Sequence, residues 1–233
     1  MLTVATWNVL HRVHAENWAE PVAGRWPDEA GRIGAVTAVL AGRGERVVAL
    51  QEVSGDQLAS LRTLPRYDIY ALRYPRVPRP RSGESPLADP AEYLVLLVDG
   101  PAREVAAEAF PGEPGKGLLA VATGGVLVVA THVTFGPPRA AQLARIAELA
   151  RGAAGPVVLL GDFNADAATV AAGLGPGFAV ARLAPGSPPT RPGSRSPHID
   201  HVVAHGAAVQ DPAVIDMDGL SDHNLLKAVV VPR

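Results

Sequence analysis

Leu118-Leu119-Ala120-Val121-Ala122-Thr123-Gly124-Gly125-Val126-Leu127-Val128-Val129-Ala130-Thr131-His132 is the stretch on which the fold turns. Two apolar runs of strand length are separated only by a glycine pair, and the second stops at a histidine. Continuous apolar runs bounded by turn residues mark strands covered on both faces. Two of them in direct succession, with no helix between, argue against a strictly alternating βαβ fold. Runs of the same kind occur at residues 2–7, 46–50, 93–98, 156–160, 201–204 and 226–231. Helical spacing of apolar residues occurs at 28–41, 55–64, 140–151 and 167–174. The pattern predicts packed sheets with helices on their outer sides. Residues 74–90 and 185–197, rich in Pro, Arg, Ser and Gly, are expected to be long loops of the kind that border binding sites.

Composition narrows the chemistry. The 233 residues are 48% hydrophobic, enough for a sizeable core. There is no cysteine, which excludes disulfides, thiolate nucleophiles and cysteine–zinc sites. A formal net charge of −2 provides no global positive field for a polyanion, so any such substrate needs a local basic patch or a bound metal. No apolar run reaches transmembrane length, and Met1 leads straight into a strand-like segment without a signal-peptide pattern. A soluble, cytoplasmic protein with no membrane span is expected.

Polar residues recur where the apolar runs end. Asn8 follows the first, Glu52 the second, His132 the fifth, and Asp162 with Asn164 follows Val157-Val158-Leu159-Leu160-Gly161. Asp200 precedes a run, and Asp222-His223 precedes the last. Ends of adjacent strands lie close together, so these groups can meet at one rim of a sheet. Carboxylate and amide oxygens are hard ligands that favour Mg²⁺ or Mn²⁺ over zinc. A metal neutralises a phosphoryl group and lowers the pKa of bound water, and nearby histidines can hydrogen-bond phosphate oxygens. No Gly-x-Ser-x-Gly is present, which argues against a nucleophile-elbow serine hydrolase.

Six short strings, Thr6-Trp7-Asn8-Val9, Leu50-Gln51-Glu52-Val53, Thr131-His132-Val133, Gly161-Asp162-Phe163-Asn164, Ile199-Asp200-His201 and Ser221-Asp222-His223, occur in this order over nearly the whole chain. In this the sequence resembles the endonuclease/exonuclease/phosphatase superfamily. That group includes deoxyribonuclease I, AP endonucleases, neutral sphingomyelinases, inositol polyphosphate 5-phosphatases and the deadenylases. The resemblance implies a four-layer α/β/β/α sandwich of two packed mixed β-sheets flanked by helices (α/β, or α+β), in a single catalytic domain over residues 1–233. It implies Glu52 as principal metal ligand, with Asn8 and Asp222. It implies Asp162 as the residue that orients or deprotonates water, and Asn164 as one that holds the water or a phosphate oxygen. His223 would bond the scissile phosphate with its ring fixed by Asp200. His132 would be a second phosphate-facing histidine, with Glu92 the candidate for its acidic partner; its presence tells against the AP endonuclease branch.

Each residue also has a plainer reading. Gly-Asp-x-Asn is good turn chemistry, and Ser221-Asp222 could cap a helix. Gly115-Lys116-Gly117 lacks the spacing of a phosphate loop and reads as a turn between strands. His11 and His14 read as pocket rim or plain surface, and His198 as structural. Arg73, Arg76, Arg79, Arg81, Arg139, Arg182, Arg191 and Arg195 would supply local positive charge if the long loops flank the site. The expected activity is metal-dependent hydrolysis of a phosphate ester, as a phosphodiesterase or nuclease on DNA or RNA. Asn8-Val9-Leu10 followed by Trp26 and Arg32 is somewhat like the deadenylase branch, whereas an aromatic content of only 5% leaves few stacking platforms. A phosphatase or phosphodiesterase for a small molecule or lipid headgroup is the alternative. A silent binding module is a third reading, opposed by the retained charges.

Overall fold

The computed structural model describes residues 1–232. Its elements run β1 (Leu2–Asn8), α1 (Arg12–Asn17), α2 (Pro21–Arg25), α3 (Glu29–Ala41), β2 (Val47–Ser54), α4 (Gly55–Leu61), β3 (Asp68–Arg73), β4 (Glu92–Val98) and β5 (Ala102–Phe110). They continue with β6 (Glu113–Thr123), β7 (Val126–His132), α5 (Arg139–Arg151), β8 (Val157–Asp162), α6 (Ala167–Leu174), β9 (Phe178–Val180), β10 (Asp200–His205), β11 (Ala207–Ile215) and β12 (Leu225–Pro232). Two six-stranded sheets form, ordered β11-β12-β1-β2-β4-β3 and β5-β6-β7-β8-β10-β9. Each is mixed. β1 and β2 are parallel, as are β7 and β8, and every other neighbour pair is antiparallel.

The apolar runs explain the layering. In β7, Val128 and Ala130 face the other sheet, in one core with Val4, Ala49 and Leu96. Val129 between them faces outward against Leu143, Ile146 and Ala147 of α5. On the first sheet, Trp7, Val48 and Leu50 face outward against Val36 and Leu40 of α3 and Leu58 of α4. Side chains alternate along a strand, so apolar residues at every position mean that both faces are covered. The result is the helix/sheet/sheet/helix sandwich that the resemblance implies.

The central strands match the apolar runs, and the four strands that no apolar run announced, β3, β5, β9 and β11, are the four sheet edges. β5 keeps Arg103 and Glu104 in solvent, and β11 carries Asp211-Pro212 at a register shift. Polar residues, proline and bulges at an edge discourage pairing with another chain, and they also erase the apolar run. The helix starts have local causes: the side chains of Asp28, Ser54 and Asp166 accept from backbone N–H groups of α3, α4 and α6. Gly115-Lys116-Gly117, expected as a turn, lies inside β6. A Cβ at Gly115 would overlap the Arg76 guanidinium, and one at Gly117 would overlap the Glu108 carbonyl oxygen, so these glycines serve close packing. No helix among the described residues is long and apolar enough to cross a membrane.

Gly161 on β8 is the register partner of Thr131 on β7. A Cβ there would overlap the Thr131 carbonyl oxygen. Gly161→Ala is therefore expected to lower stability by about 1–3 kcal/mol, the range for an overpacked interior. Thermal unfolding followed by circular dichroism measures this, and an unchanged midpoint would show that backbone contact does not set the spacing of the two strands.

Candidate active site

Strand direction gathers the polar groups. β1, β2, β7 and β8 end at one rim, and the antiparallel strands β4, β10 and β12 begin there. Register does the rest: His132 is the partner of Asp162, and Asp162 in turn is the partner of Asp200. A cavity of about 580 Å³ opens between the two sheets, lined by Glu52, Lys116, His132, Asp162, Asn164, Asp222 and His223 among others.

Glu52 reaches it through a bulge. Between Leu50 and Val53 the β2–β4 register slips by one residue, and Glu52 has φ 58°. A non-glycine residue in this left-handed region is strained, and bulges re-aim side chains. The Glu52 carboxylate accepts from Asn8 Nδ2 at 3.1 Å and from the His11 backbone N–H at 3.2 Å. Burial alone would raise its pKa, but the nearby His14, His132 and Lys116 and the Asn8 amide hold it below the usual carboxylate range.

Asn8 also donates to Asp162 Oδ2 at 3.2 Å, while its own oxygen accepts the Leu10 N–H at 3.0 Å. The Leu10 N–H therefore fixes which way the amide points. Asn8 meets the carboxylates through nitrogen, and the oxygen that a metal would take from it is engaged elsewhere.

Asp162 is buried between the two imidazoles, with His132 Nε2 at 3.5 Å and His223 Nε2 at 3.9 Å from Oδ2. Burial, reinforced by the neighbouring Asp200 carboxylate, raises its pKa to about 6. Its other oxygen accepts the Asn164 N–H at 2.8 Å. Asn164, at φ 48°, donates its amide to the Val133 carbonyl at 3.0 Å. Asp200 Oδ2 lies 2.9 Å from His223 Nδ1. Burial would depress His223, but Asp200, Asp222 and Asp162 outweigh it and lift the ring to about 10, so it is an imidazolium. The loop before β12 is fixed by Trp7 Nε1, which donates to the His223 carbonyl at 2.9 Å, and by Ser221 Oγ, which donates to the Asn8 carbonyl at 2.7 Å. The buried Arg32 guanidinium bonds the carbonyls of Val9, Leu10 and Leu220, tying α3 to both loops.

Two expectations need correction. Glu92 does not pair with His132. Its buried carboxylate lies 3.2 Å from His14 Nε2 and 3.3 Å from an Arg76 nitrogen. His14, projecting from α1, occupies the acid's coordination instead, which periodicity could not reveal because α1 is too short to show any. His132 contacts Lys116 Nζ through Nε2, and its Nδ1 has no partner. Burial, then Lys116, pushes His132 well below its ordinary range, so the ring is neutral, and burial lowers Lys116 as well. Lys116, dismissed as part of a turn, is thus a site residue; a glycine-flanked lysine directly preceding an apolar run was the available signal.

His11 is structural: its ring lies 3.2 Å from the Pro90 carbonyl and caps α1. His198 lies away from the site, in a groove with Arg182. Of the loop arginines, Arg76 and Arg191 line the cavity, and Arg191 lies 3.0 Å from Asp222 Oδ2.

A model of the endonuclease/exonuclease/phosphatase family matches residues 5–223. The chain belongs to that family. No curated protein matches the sequence significantly. Among solved structures, truncated Caenorhabditis elegans TDP2 is similar at 20% identity and TM-score 0.69, over 99% of this chain and 97% of that one. D. rerio TDP2, complexed with single strand DNA product, has 16% identity and TM-score 0.70 over 98% of each chain. A family protein from Bacteroides thetaiotaomicron has 18% identity and TM-score 0.71, over 100% of this chain and 95% of that one. At these identities the likeness is one of fold. Membership of the endonuclease/exonuclease/phosphatase family supports a phosphoesterase, and such enzymes generally depend on a divalent metal.

The donor set fits a hard cation. Glu52 is ionised, takes only neutral N–H donors as hydrogen-bond partners, and keeps 13% of its side chain open to the cavity. Asp222 lines the same cavity. Asp162, Asp200 and His223 also lie within 4.8 Å of one another. There the imidazolium already supplies the positive charge between the carboxylates, as Arg191 does 3.0 Å from Asp222 Oδ2.

The His223–Asp200 pair makes stability depend on pH. A histidine lifted from 6.5 to about 10 in the folded state contributes fully below pH 6.5, and the contribution is lost as pH rises through 10. Urea unfolding should show stability falling across this window, with a shallower fall in Asp200→Asn. Equal slopes for the two proteins would rule the pair out as the cause.

Proposed function

We propose that the chain is a divalent-metal-dependent phosphodiesterase of nuclease type. The observation that carries this reading is Asp162 held between His132 and His223 in a cavity that also presents Glu52 and Lys116. A carboxyl poised near pH 6 can take a proton near neutrality, as a general base must. Asp162 removes the proton from the attacking water as the water oxygen bonds to phosphorus, and the ester P–O bond breaks with its electron pair leaving on the ester oxygen. Asn164 fixes the Asp162 carboxylate through its backbone N–H. His223, its Nδ1 occupied by Asp200, presents Nε2–H to a non-bridging oxygen. Lys116 places a second positive charge beside His132, where negative charge gathers in the transition state. Glu52 and Asp222 would hold Mg²⁺ or Mn²⁺, which when bound neutralises phosphate charge and acidifies water.

Nucleic acid is the ester to test first, since the D. rerio relative of the same fold was captured with a single strand DNA product. A small-molecule ester is the second reading, favoured by the net charge of −2.

Purified protein should hydrolyse at least one of plasmid DNA, single-stranded DNA, RNA, bis-p-nitrophenyl phosphate or p-nitrophenyl phosphate with Mg²⁺ or Mn²⁺, and none with EDTA. Asp162→Ala should lower kcat by about 10²–10⁴-fold. Turnover that survives both EDTA and Asp162→Ala would refute the reading. Lys116→Met should lower kcat by about 10²-fold, the order for removing one charge-stabilising donor. Near-wild-type kcat in that variant would remove Lys116 from the machinery.

A further inference from the structure

The chain has 11 aromatic residues counting Phe, Trp and Tyr, and only two are exposed: Trp18 at 65% and Phe135 at 82%. A single exposed apolar side chain needs no explanation. Here both line the same cavity as Glu52, Asp162 and His223. They come from the two halves of the sandwich, Trp18 from the segment after β1 and Phe135 from the segment after β7.

Both carry a cation. The Arg81 guanidinium lies 4.3 Å from the Trp18 ring centroid. It is fixed there because Arg81 donates to the Asn17 carbonyl at 2.9 Å and its backbone N–H donates to Asn17 Oδ1 at 2.8 Å. The 74–81 segment is thereby pinned to the end of α1, and a second hollow lined by Arg76 and Arg79 continues from the catalytic cavity past Trp18. Phe135 precedes Gly136, at φ 112°, and two prolines that stiffen the entry to α5. Arg139 lies 5.9 Å from its ring.

We infer that Trp18 and Phe135 are stacking platforms for unpaired nucleobases on either side of the scissile phosphate, so that the substrate is a single-stranded nucleic acid. The inference rests on the phosphodiesterase reading and supplies its substrate class. Base–aromatic stacking tolerates any sequence, and arginine beside each ring can meet the flanking phosphates. In a duplex the faces of the bases are already stacked on one another, so exposed rings of this kind have nothing to receive there. Local arginines at these two rings also resolve how a chain with net charge −2 handles a polyanion.

The test uses the full chain and two labelled strands of equal length, an oligothymidylate and its abasic counterpart, at one salt concentration. Binding is read by fluorescence anisotropy in the Asp162→Ala background, and cleavage by kcat/KM in the wild-type background. Trp18→Ala and Phe135→Ala should each weaken oligothymidylate binding by on the order of five- to a hundredfold, and lower the ratio of oligothymidylate to abasic kcat/KM by a similar factor. Trp18→Phe should retain most of the preference, whereas Phe135→Leu, apolar without a π face, should lose it. A wild type that cleaves both strands equally, with ratios unmoved by the substitutions, overturns the stacking role and leaves the hydrolase reading intact. Weakened binding by the variants with no cleavage of either strand supports the stacking role and overturns the single strand as the ester that is hydrolysed. No binding of oligothymidylate at all, or equal loss of the two strands in the alanine variants, overturns the inference.

Discussion

His132, Asp162 and Asp200 stand side by side across β7, β8 and β10, each the register partner of the next. Two buried carboxylates at one level of a sheet repel each other and lose hydration, and neither cost is tolerable without positive charge nearby. The surroundings follow from that constraint. The His223 imidazolium sits between the carboxylates, its loop fastened to Trp7 and Ser221, and Lys116 approaches from β6 on the side of His132. Among the described residues no Arg or Lys touches Asp162 directly, and burial together with the Asp200 carboxylate keeps its pKa raised.

The same accounting separates two classes of carboxylate in the site. Asp200 and Glu92 are fully enclosed and committed to His223 and to His14 with Arg76, so they orient other side chains. Glu52 and Asp222, the latter beside Arg191, retain some exposure to the cavity. Glu52 reaches it only because the backbone of β2 leaves the regular ladder. The strained φ at Glu52, like that at Asn164, lies at the cavity, and the surrounding pairings of β1, β2 and β4 hold it.

Charge is distributed on two scales. The whole chain is nearly neutral, yet the rim carries His14, Arg76, Lys116, Arg191 and His223 around its acids. Fields at a cavity between low-dielectric walls depend on these near groups and not on the net charge, so composition was a poor guide to which substrates the rim can meet.

Much of this was legible in the sequence. Interior strands are covered on two faces, so every position is apolar and the run is visible. The edges β3, β5 and β11 are half in water and carry charge or proline, and β9 is only three residues long, so none left a run to read. The six short strings marked Asn8, Glu52, His132, Asp162, Asp200 and His223 because each ends, begins or precedes a run, and strand ends are what a sheet brings together. Pairings between those groups were another matter. That Glu92 takes His14 and Arg76, that Asn8 turns its nitrogen to the carboxylates, and that Lys116 and two exposed aromatics stand at the same cavity depend on sheet register and loop paths. The sequence by itself determined the layers and which residues arrive at the rim, because burial acts on each position separately. Only the tertiary structure decided which partner each of them meets, because direct side-chain contact falls off within a few ångströms and neighbours at that range are set by the packing of segments far apart in the chain.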